Sequence, residues 1–585
     1  MTDRPGETSD LPIQPYERRV AHVTAWDPRS TEVAAAIANV IRRRRADLVA
    51  EHIGSTAVPG LPGKGIVDLS IEAEATEIPG IVVLLHGIGF QPQPGPDPWP
   101  PTRPMLVAAT RLDGDEFRIH LHVQPRGGDM PRDIAFRDAL RSDAKLMREY
   151  ASLKSEITGG STVDGFRYTH SKTTWILGVY RALGFRTPPI LPPATIGILG
   201  GGQLGRMLAL AARELGYRIA VLDPDPECPA AGVADRVEIG RYDDIEAARR
   251  LAAGCAVVTY ELEHVALDLV QALDGGGGLP IRPGQYALKL TQDRLAERRF
   301  LEANGASVAP WREVSTRADL DAAVAELGLP LRLKASMGGY DGRSQIRITT
   351  AATMAQAGDL LDREAAAGRP MLLERELDFE CELSVIVARG VDGVTRAWPP
   401  ARNVHDDGIL VESSTPAGIP AETAEAATAL TTDLATGMGM VGLLTAELFL
   451  MRDGSLVVNE LAPRVHNSGH WTIEAAVTSQ FEQHVRAICG LPLGSTDLRT
   501  GGAATVNLLG SGPDRHARPA GMETALDAAD VHVHLYDKRR VFERRKMGHV
   551  TATGASADAA LAIARGAAAQ ITWADATDAT GEEAD

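Results

Sequence analysis

The sequence predicts a multidomain protein mixing α/β and α+β architecture, and three observations carry that expectation. The chain has 585 residues, more than one hydrophobic core organises, so roughly three to five domains are expected. Four prolines crowd GFRTPPILPPA at 184–194, a stretch hostile to helix and central strand alike, which marks 186–193 as a linker. Beyond it, 195–275 alternates short apolar strands with amphipathic stretches, the βαβ pattern of a parallel sheet. Hydrophobic residues make up 44% and charged residues 23%, as in ordinary globular chains. A net charge of −17 argues against nucleic acid and an anionic membrane surface as partners. It leaves small anionic ligands wherever basic residues cluster. Cys228, Cys255, Cys381 and Cys489 form no C-x-x-C pair, so neither a zinc ribbon nor a disulfide framework is expected, and a cytoplasmic setting fits. The start, MTDRPGETSD, is polar and has no signal-peptide core. No apolar run is long enough to suggest a membrane-spanning helix.

In the first third, FRIHLHV at 117–123 places Arg118, His120 and His122 on one face of a strand. That face is either a ligand site or a half-buried structural row. After the linker, TIGIL and YRIAVLD flank the amphipathic LGRMLALAARELG, and AVVTYELE supplies a third strand. Gly200 to Gly205 fits G-x-G-x-x-G between strand and helix, and Asp223 ends the next strand. Backbone N–H groups at such a helix start can hold a phosphate. A dinucleotide, another small ligand and a tight turn binding nothing all remain open here.

From about 290 to 495 the pattern is α+β. LRLKASMGGYDGRSQ at 331–345 runs a strand carrying Lys334 into a second glycine loop, either wrapping phosphate or making a hairpin turn. A dehydrogenase would not need this second loop; an ATP-using enzyme would. LLTAELFLMRDGSLVVNEL at 443–461 reads as a hairpin closed at Asp453-Gly454 by a two- or four-residue loop. Either loop sets Glu447 directly opposite Glu460, with Cβ atoms roughly 5 Å apart, the alternative being a register slip that separates them. Two carboxylates so placed among Leu and Val need a cation, and oxygen ligands favour Mg²⁺ over zinc. Asn459 adds an oxygen. In NELAPRVHNSGHWT at 459–472, Arg464 is placed to neutralise charge at a transferring phosphoryl group, and His466 and His470 contact substrate or pack structurally. Short strands follow from about 500 to 575, with a basic cluster in LYDKRRVFERRKMGH that is either suited to a phosphate or a solvated basic strand.

Taken in order, GGGQLGRM at 200–207, QDRL at 292–295, GGYDGRSQ at 338–345, NVHDDGIL at 403–410, NELAPRVHNSGHWT and RRKMGH at 544–549 resemble the ATP-grasp superfamily. Within it they resemble the 5-(carboxyamino)imidazole ribonucleotide synthases of purine biosynthesis. The resemblance spans about 194–575. It implies a Rossmann-like preATP-grasp domain at 194–291, an ATP-grasp domain with a mobile lid at 292–496, a small β-rich domain binding the substrate phosphate at 497–575, and an acidic tail at 576–585. It also implies ATP and Mg²⁺ as cofactors, bicarbonate and 5-aminoimidazole ribonucleotide as substrates, and a homodimer through the ATP-grasp part. Carried over by position, Arg294, Lys334 and the loop residues Gly339, Tyr340, Asp341, Gly342, Arg343, Ser344 and Gln345 contact the ATP phosphates and adenine. Glu374, Arg375, Glu376 and Leu377 resemble the adenine hinge, Glu382 the ribose ligand, and His405 and Asn459 further nucleotide-site positions. Glu447 and Glu460 match the Mg²⁺ carboxylates, and Lys334 and Arg464 the catalytic cations. Gln203 and Leu204 would face the ribonucleotide, and Tyr536, Lys538, Arg545 and Lys546 its 5′-phosphate. Arg298 stands where the family often has Lys, and Arg402 where it often has Glu. An ATP-grasp ligase with another acceptor and a non-catalytic nucleotide-sensing scaffold are the competing readings.

EHIGSTAVPGLPGKGIVDLSIE at 51–72, with FRIHLHV, FRDALRSD and YTHSKTTWI, resembles the GrpB family. That implies a nucleotidyltransferase-like α/β domain over 1–185, with Gly54-Ser55 as its loop. Where that fold carries Asp-x-Asp, this chain has Asp68-Leu69-Ser70, with Glu72 next on the same strand face. A nucleotide-binding or accessory role therefore stands beside a catalytic one.

Overall fold

The computed structural model describes residues 11–17, 23–93, 103–158, 165–185, 187–274, 279–337 and 345–574. The chain forms two compact units, one holding Met1–Thr187 and the other Pro188–Leu273 and Pro280–Asp585. Among the described residues no helix is long and apolar enough to cross a membrane.

The first unit is a five-stranded sheet of β1 (Ala50–Ile53), β2 (Ile66–Ala73), β3 (Gln91–Pro92), β4 (Met105–Leu112) and β5 (Asp115–Pro125), ordered β1-β2-β5-β4-β3. Only the β2–β5 pair is parallel. Strict alternation along β5 buries Phe117, Ile119, Leu121 and Val123 and leaves Arg118, His120 and His122 half-buried. Helices α1 (Arg29–Arg44) and α2 (Ile78–Gly87) cover the apolar face through Val33, Ile37, Ile41, Ile81 and Leu85. Helices α3 (Met130–Ser142), α4 (Ala144–Thr158) and α5 (Gly165–Ala182) meet through Phe136, Tyr150 and Trp175, the last two stacked at 4.9 Å.

The second unit opens on a parallel sheet, β8-β7-β6-β9, built from β6 (Thr195–Leu199), β7 (Arg218–Asp223), β8 (Arg236–Ile239) and β9 (Cys255–Tyr260). Helices α6 (Gln203–Glu214) and α7 (Ile245–Ala252) supply the crossovers, and α8 (Leu267–Asp274) follows. The proline-rich segment is bound to this unit: Ile190 N–H donates to Cys489 O at 2.8 Å and Ile190 O accepts from Tyr217 Oη at 2.6 Å.

Helices α9 (Gln285–Gln292) and α10 (Arg294–Ala303) lead to an antiparallel sheet, β10-β13-β11-β12: β10 (Trp311–Val314), β11 (Leu331–Ala335), β12 (Gln345–Ile348) and β13 (Met371–Arg375). Its core is closed by α11 (Arg317–Leu327) and α12 (Ala351–Ala366). A nine-stranded sheet completes the unit. It contains β14 (Phe379–Arg389), β15 (Thr395–Ala397), β16 (Ala401–Asp406), β17 (Ile409–Thr415), β18 (Gly442–Met451), β19 (Leu456–Ala462), β20 (Gly502–Leu509) and the strands Lys546–Gly554 and Val531–Leu535. Helix α13 (Ala421–Met438) packs Leu434, Ala435 and Met438 onto the apolar face of β14 and β18.

Candidate active site

The first glycine loop is closed by the chain itself. Gly201 N–H donates to Asp223 Oδ2 at 2.8 Å, Gly202 N–H to Glu261 Oε1 at 2.5 Å, and Gly205 N–H to Glu261 Oε2. Asp223 also accepts from Tyr242 Oη at 2.7 Å. The donors and the acid that a dinucleotide would need are therefore occupied by internal carboxylates and a phenol. Glycine is required sterically, because a Cβ on Gly205 would stand 2.6 Å from Gly200 O. Gln203, at the start of α6, is half-buried, whereas Leu204 is 7% exposed and packs in the core. Both were expected to face the ribonucleotide; the Leu204 side chain lies among the core residues of this sheet.

Glu447 on β18 pairs with Glu460 on β19, as expected, but by another route. The turn has three loop residues, not two or four: Met451 N–H donates to Ser455 O at 2.9 Å, and Gly454 takes φ +85°. That geometry sets Leu448 against Val458, one residue out of the expected register. A β-bulge at Asn459 then restores the offset, so Glu447 meets Glu460 on one face while Ala446 and Leu461 share the apolar core. Asn459 Nδ2 approaches Glu447 Oε2 at 3.5 Å. Burial, reinforced by Glu460, pushes the Glu447 carboxyl up to about 7. A carboxylate pair under that strain suits a bound cation. Among the described residues no group of three or more His, Cys, Asp or Glu is arranged to hold a metal. Two carboxylates fit the way Mg²⁺ is bound, with phosphate oxygens and water completing its shell.

Beside this pair, His405 Nδ1 meets the Glu382 carboxylate. Burial works against the imidazolium, but Glu382, then Glu447, raise its pKa. His466 Nε2 lies 3.4 Å from Glu447 Oε1, and its Nδ1 is 2.8 Å from Ser468 Oγ. His470 is fully buried and stacked 4.5 Å from His549, with burial pushing it down to about 3. Of the two histidines, His466 borders the carboxylates and His470 packs structurally. Arg464 Nε sits 2.6 Å from Glu263 Oε1. Glu261 and Glu263, missed in the sequence, lie in YELEH just after β9. Their signal was available as two acids at a strand's carboxyl end.

Lys334, on β11, pairs with Glu374, which also accepts from Arg298 Nη2 at 3.0 Å. Burial alone would raise the Glu374 carboxyl; Lys334 and Arg298 hold it down to about 2. Arg298 also lies 3.3 Å from Glu297 Oε1, and Glu297 Oε2 accepts from Leu461 N–H at 3.3 Å. One buried network on α10 thus ties the lysine strand β11 to the carboxylate strand β19. Glu374 therefore does not present its carboxylate as a hinge group. Arg375 donates to Leu327 O, Glu376 pairs with Arg347 at 2.7 Å, and half-buried Leu377 follows. Arg294 Nη1 donates to Ala335 O at 3.1 Å, and Gln345 pairs in register with Lys334. Gly339, Tyr340, Asp341, Gly342, Arg343 and Ser344 lie outside the described residues.

The basic C-terminal cluster splits. Lys546 is half-buried and its charge reaches His466 and His470. Lys538 Nζ donates to Lys546 O at 2.7 Å. Arg545 donates to Arg540 O at 2.6 Å, and its charge acts with Asp514 and Asp225. Tyr536 is only 2% exposed, with its hydroxyl 2.9 Å from His549 Nδ1. That hydroxyl, expected at the 5′-phosphate, is engaged with His549 in the core.

Four family models match the chain: GrpB protein at 19–182, the ribonucleotide synthetase preATP-grasp domain at 193–292, the ATP-grasp domain at 299–481, and the phosphoribosylaminoimidazole carboxylase C-terminal domain at 503–563. The N5-carboxyaminoimidazole ribonucleotide synthase of Bacillus subtilis is 42% identical over 362 residues, covering 62% of this chain and 92% of its own length. A crystal structure of an N5-carboxyaminoimidazole ribonucleotide synthetase as its ADP complex matches with TM-score 0.60 and 42% identity, over 65% of this chain and 98% of that one. The Aspergillus clavatus synthase in complex with ADP and 5-aminoimidazole ribonucleotide matches with TM-score 0.57 and 30% identity, over 64% and 97% of the two chains. With the site geometry, these likenesses show that the chain belongs to the N5-carboxyaminoimidazole ribonucleotide synthase family.

Proposed function

We propose that the second unit is an ATP-dependent carboxylase acting on 5-aminoimidazole ribonucleotide, with bicarbonate as the carbon source. The observation that carries this is the cross-strand pair Glu447–Glu460, held beside Arg464 and linked through Glu297 and Arg298 to Lys334. In the first step a bicarbonate oxygen attacks the γ-phosphorus of ATP, the bond to the bridging oxygen breaks, and carboxyphosphate and ADP result. Lys334 holds γ-phosphate charge during transfer, and Arg464 holds the bicarbonate. In the second, the ribonucleotide's exocyclic amine attacks the carboxyl carbon, phosphate leaves, and the amine loses a proton. Lys546 and Lys538 receive the 5′-phosphate, and Gln203 borders the ribonucleotide. Mg²⁺, when bound by Glu447 and Glu460 with Asn459 beside them, supplies phosphate-charge neutralisation. The hinge role stays with the backbone of Arg375 to Leu377, and Glu382 and His405 meet the ribose side of the nucleotide. The same reading divides the unit at about 291/292 and 496/497, pairs two copies through the ATP-grasp part, and sets the enzyme in the cytoplasm.

The test is ADP release with Mg-ATP and bicarbonate, with and without 5-aminoimidazole ribonucleotide. Ribonucleotide-stimulated release that vanishes in Glu460→Ala, with the fold retained, is the expected result. Release indifferent to the ribonucleotide would point to another acceptor, and none at all, with ATP bound, to a sensing scaffold.

A further inference from the structure

Three imidazoles stand in a column inside the second unit, on residues to which the proposed chemistry gives no part. His534 lies on the strand Val531–Leu535, His549 on the neighbouring strand Lys546–Gly554, and His470 in the loop after β19. The His534 and His549 rings stack at 4.6 Å and the His549 and His470 rings at 4.5 Å, tilted by only 18° and 21°. Each ring is pinned by a different neighbour: Glu474 Oε1 lies 2.6 Å from His534 Nε2, Tyr536 Oη 2.9 Å from His549 Nδ1, and Asn467 Oδ1 3.1 Å from His470 Nε2. His549 and His470 are fully buried, whereas the His534 side chain is 31% exposed. Among the described residues, His470 Nδ1, His549 Nε2 and Glu474 Oε2 are buried with no hydrogen-bond partner. The two inner rings are held neutral. Burial, then His534 and Lys546, push His470 down to about 3, and burial, then His470 and His534, push His549 well below its ordinary value.

Buried nitrogens without partners cost stability that apolar side chains of like size would not lose. Buried polar groups kept at such a cost point to a fixed arrangement rather than to a stronger core. The stack sets a spacing and the three hydrogen-bonding neighbours stop the rings from turning. What is held apart is visible at either side of the column. His470 follows Arg464 and His466 on one loop, and His466 Nε2 lies 3.4 Å from Glu447 Oε1. Lys546 opens the strand that carries His549, and Lys538 Nζ lies 5.6 Å from the centre of the Tyr536 ring. We propose that His534, His549 and His470, with Glu474 at the outer end, are positioning residues for the carboxyl transfer, setting the spacing between the loop of Arg464 and His466 and the strand ends of Lys538 and Lys546. The inference rests on the proposed function, in which Arg464 holds the bicarbonate and the two lysines the 5′-phosphate. The column then fixes where the ribonucleotide's exocyclic amine stands relative to the carboxyl carbon. A small misplacement slows the second step and not the first, and the waiting carboxyphosphate is lost to water as bicarbonate and phosphate.

The test uses the full chain with Mg-ATP, labelled bicarbonate and 5-aminoimidazole ribonucleotide, and reads ADP released and ribonucleotide carboxylated in the same sample. His534→Ala and Glu474→Ala break the column at its outer end, while Glu474→Gln keeps a hydrogen-bond partner for His534. In both alanine variants the product formed per ADP released should fall roughly tenfold, with a raised KM for the ribonucleotide. KM for ATP and the ADP release without ribonucleotide should stay within about twofold of wild type, which also shows the fold intact. Glu474→Gln should recover most of the coupling. Alanine variants as tightly coupled as the wild type, or ones that lose every activity in parallel, overturn the inference and leave the proposed function standing. A wild type that releases ADP yet carboxylates no ribonucleotide overturns the proposed function and this inference with it.

Discussion

Replacing Arg298 with methionine removes one of the two cations that keep Glu374 ionised. The carboxyl is held at about 2 against an ordinary value of 4.5, a difference equivalent to roughly 3 kcal/mol of preference for the charged form in the folded state. Because the folded pKa is depressed, that stabilisation is present above about 4.5 and is lost as pH falls toward about 2. Lys334 and Arg298 share it, and the variant leaves a buried carboxylate with one partner. Glu297 adds little to the cost, since burial pushes its carboxyl to about 8 and it is largely neutral at pH 7. Half of the Glu374 preference is a lower bound, and breaking a buried ion pair outright, about 3–5 kcal/mol, is an upper one. The expected loss is about 2–4 kcal/mol, a fall of roughly 5–15 °C in the melting of the ATP-grasp part. KM for ATP should rise as Lys334 is drawn onto Glu374, and Arg298→Lys should recover most of both. Calorimetry at pH 7 with steady-state ATP kinetics reads the effect, and the difference from wild type should narrow as pH drops below 4.5. A melting shift under about 1 °C with unchanged KM for ATP would refute the idea that Arg298 positions the lysine.

Gly205→Ala forces a Cβ to within 2.6 Å of Gly200 O, so a loss of about 1–3 kcal/mol is expected by calorimetry; a neutral outcome would mean the loop relaxes freely. Glu263→Gln frees the Arg464 guanidinium from its ion pair. It should raise KM for bicarbonate about tenfold with little change in KM for ATP, an energetic effect of roughly 1.4 kcal/mol. Burial pushes the Lys154 ammonium down to about 7. The unfolded chain then binds more protons than the folded one above that pH, so the first unit should gain stability as pH rises from 7 toward 10. Lys154→Met, followed by denaturant melts across that range, should remove the slope between about 7 and 8 and reduce it above, where Lys172, pushed down to about 8, contributes the remainder.

The parts of the fold governed by local periodicity were legible in the sequence: the βαβ run after the prolines, the alternation along FRIHLHV and the two-stranded frame around Asp453-Gly454. The carboxylate pair was legible because a strand's period is two and both glutamates sit near one turn. The turn was not, since Asp-Gly serves two-residue and three-residue loops alike and only the backbone at Gly454 decides. Burial set by distant partners was invisible as well. Tyr536 and Leu204 occupy motifs that invite a ligand, yet neighbours from other elements enclose both. Glu261 lies 59 residues from Gly202, and nothing near either residue announces that a carboxylate fills the glycine loop.

The hairpin that carries Glu447 and Glu460 contains two offsets of one residue, the odd turn and the bulge at Asn459, and they cancel. The two are separable by counting. Deleting Asn459 alone leaves Leu448 against Val458 and brings Glu460 next in line, still opposite Glu447, and removing one turn residue alone leaves the strand pairs as they are. What would part the acids is losing the bulge while keeping every residue: Glu447 would then face Asn459, and Glu460 would stand opposite Ala446 on the apolar side. The constraint on this hairpin is therefore its register, not its length.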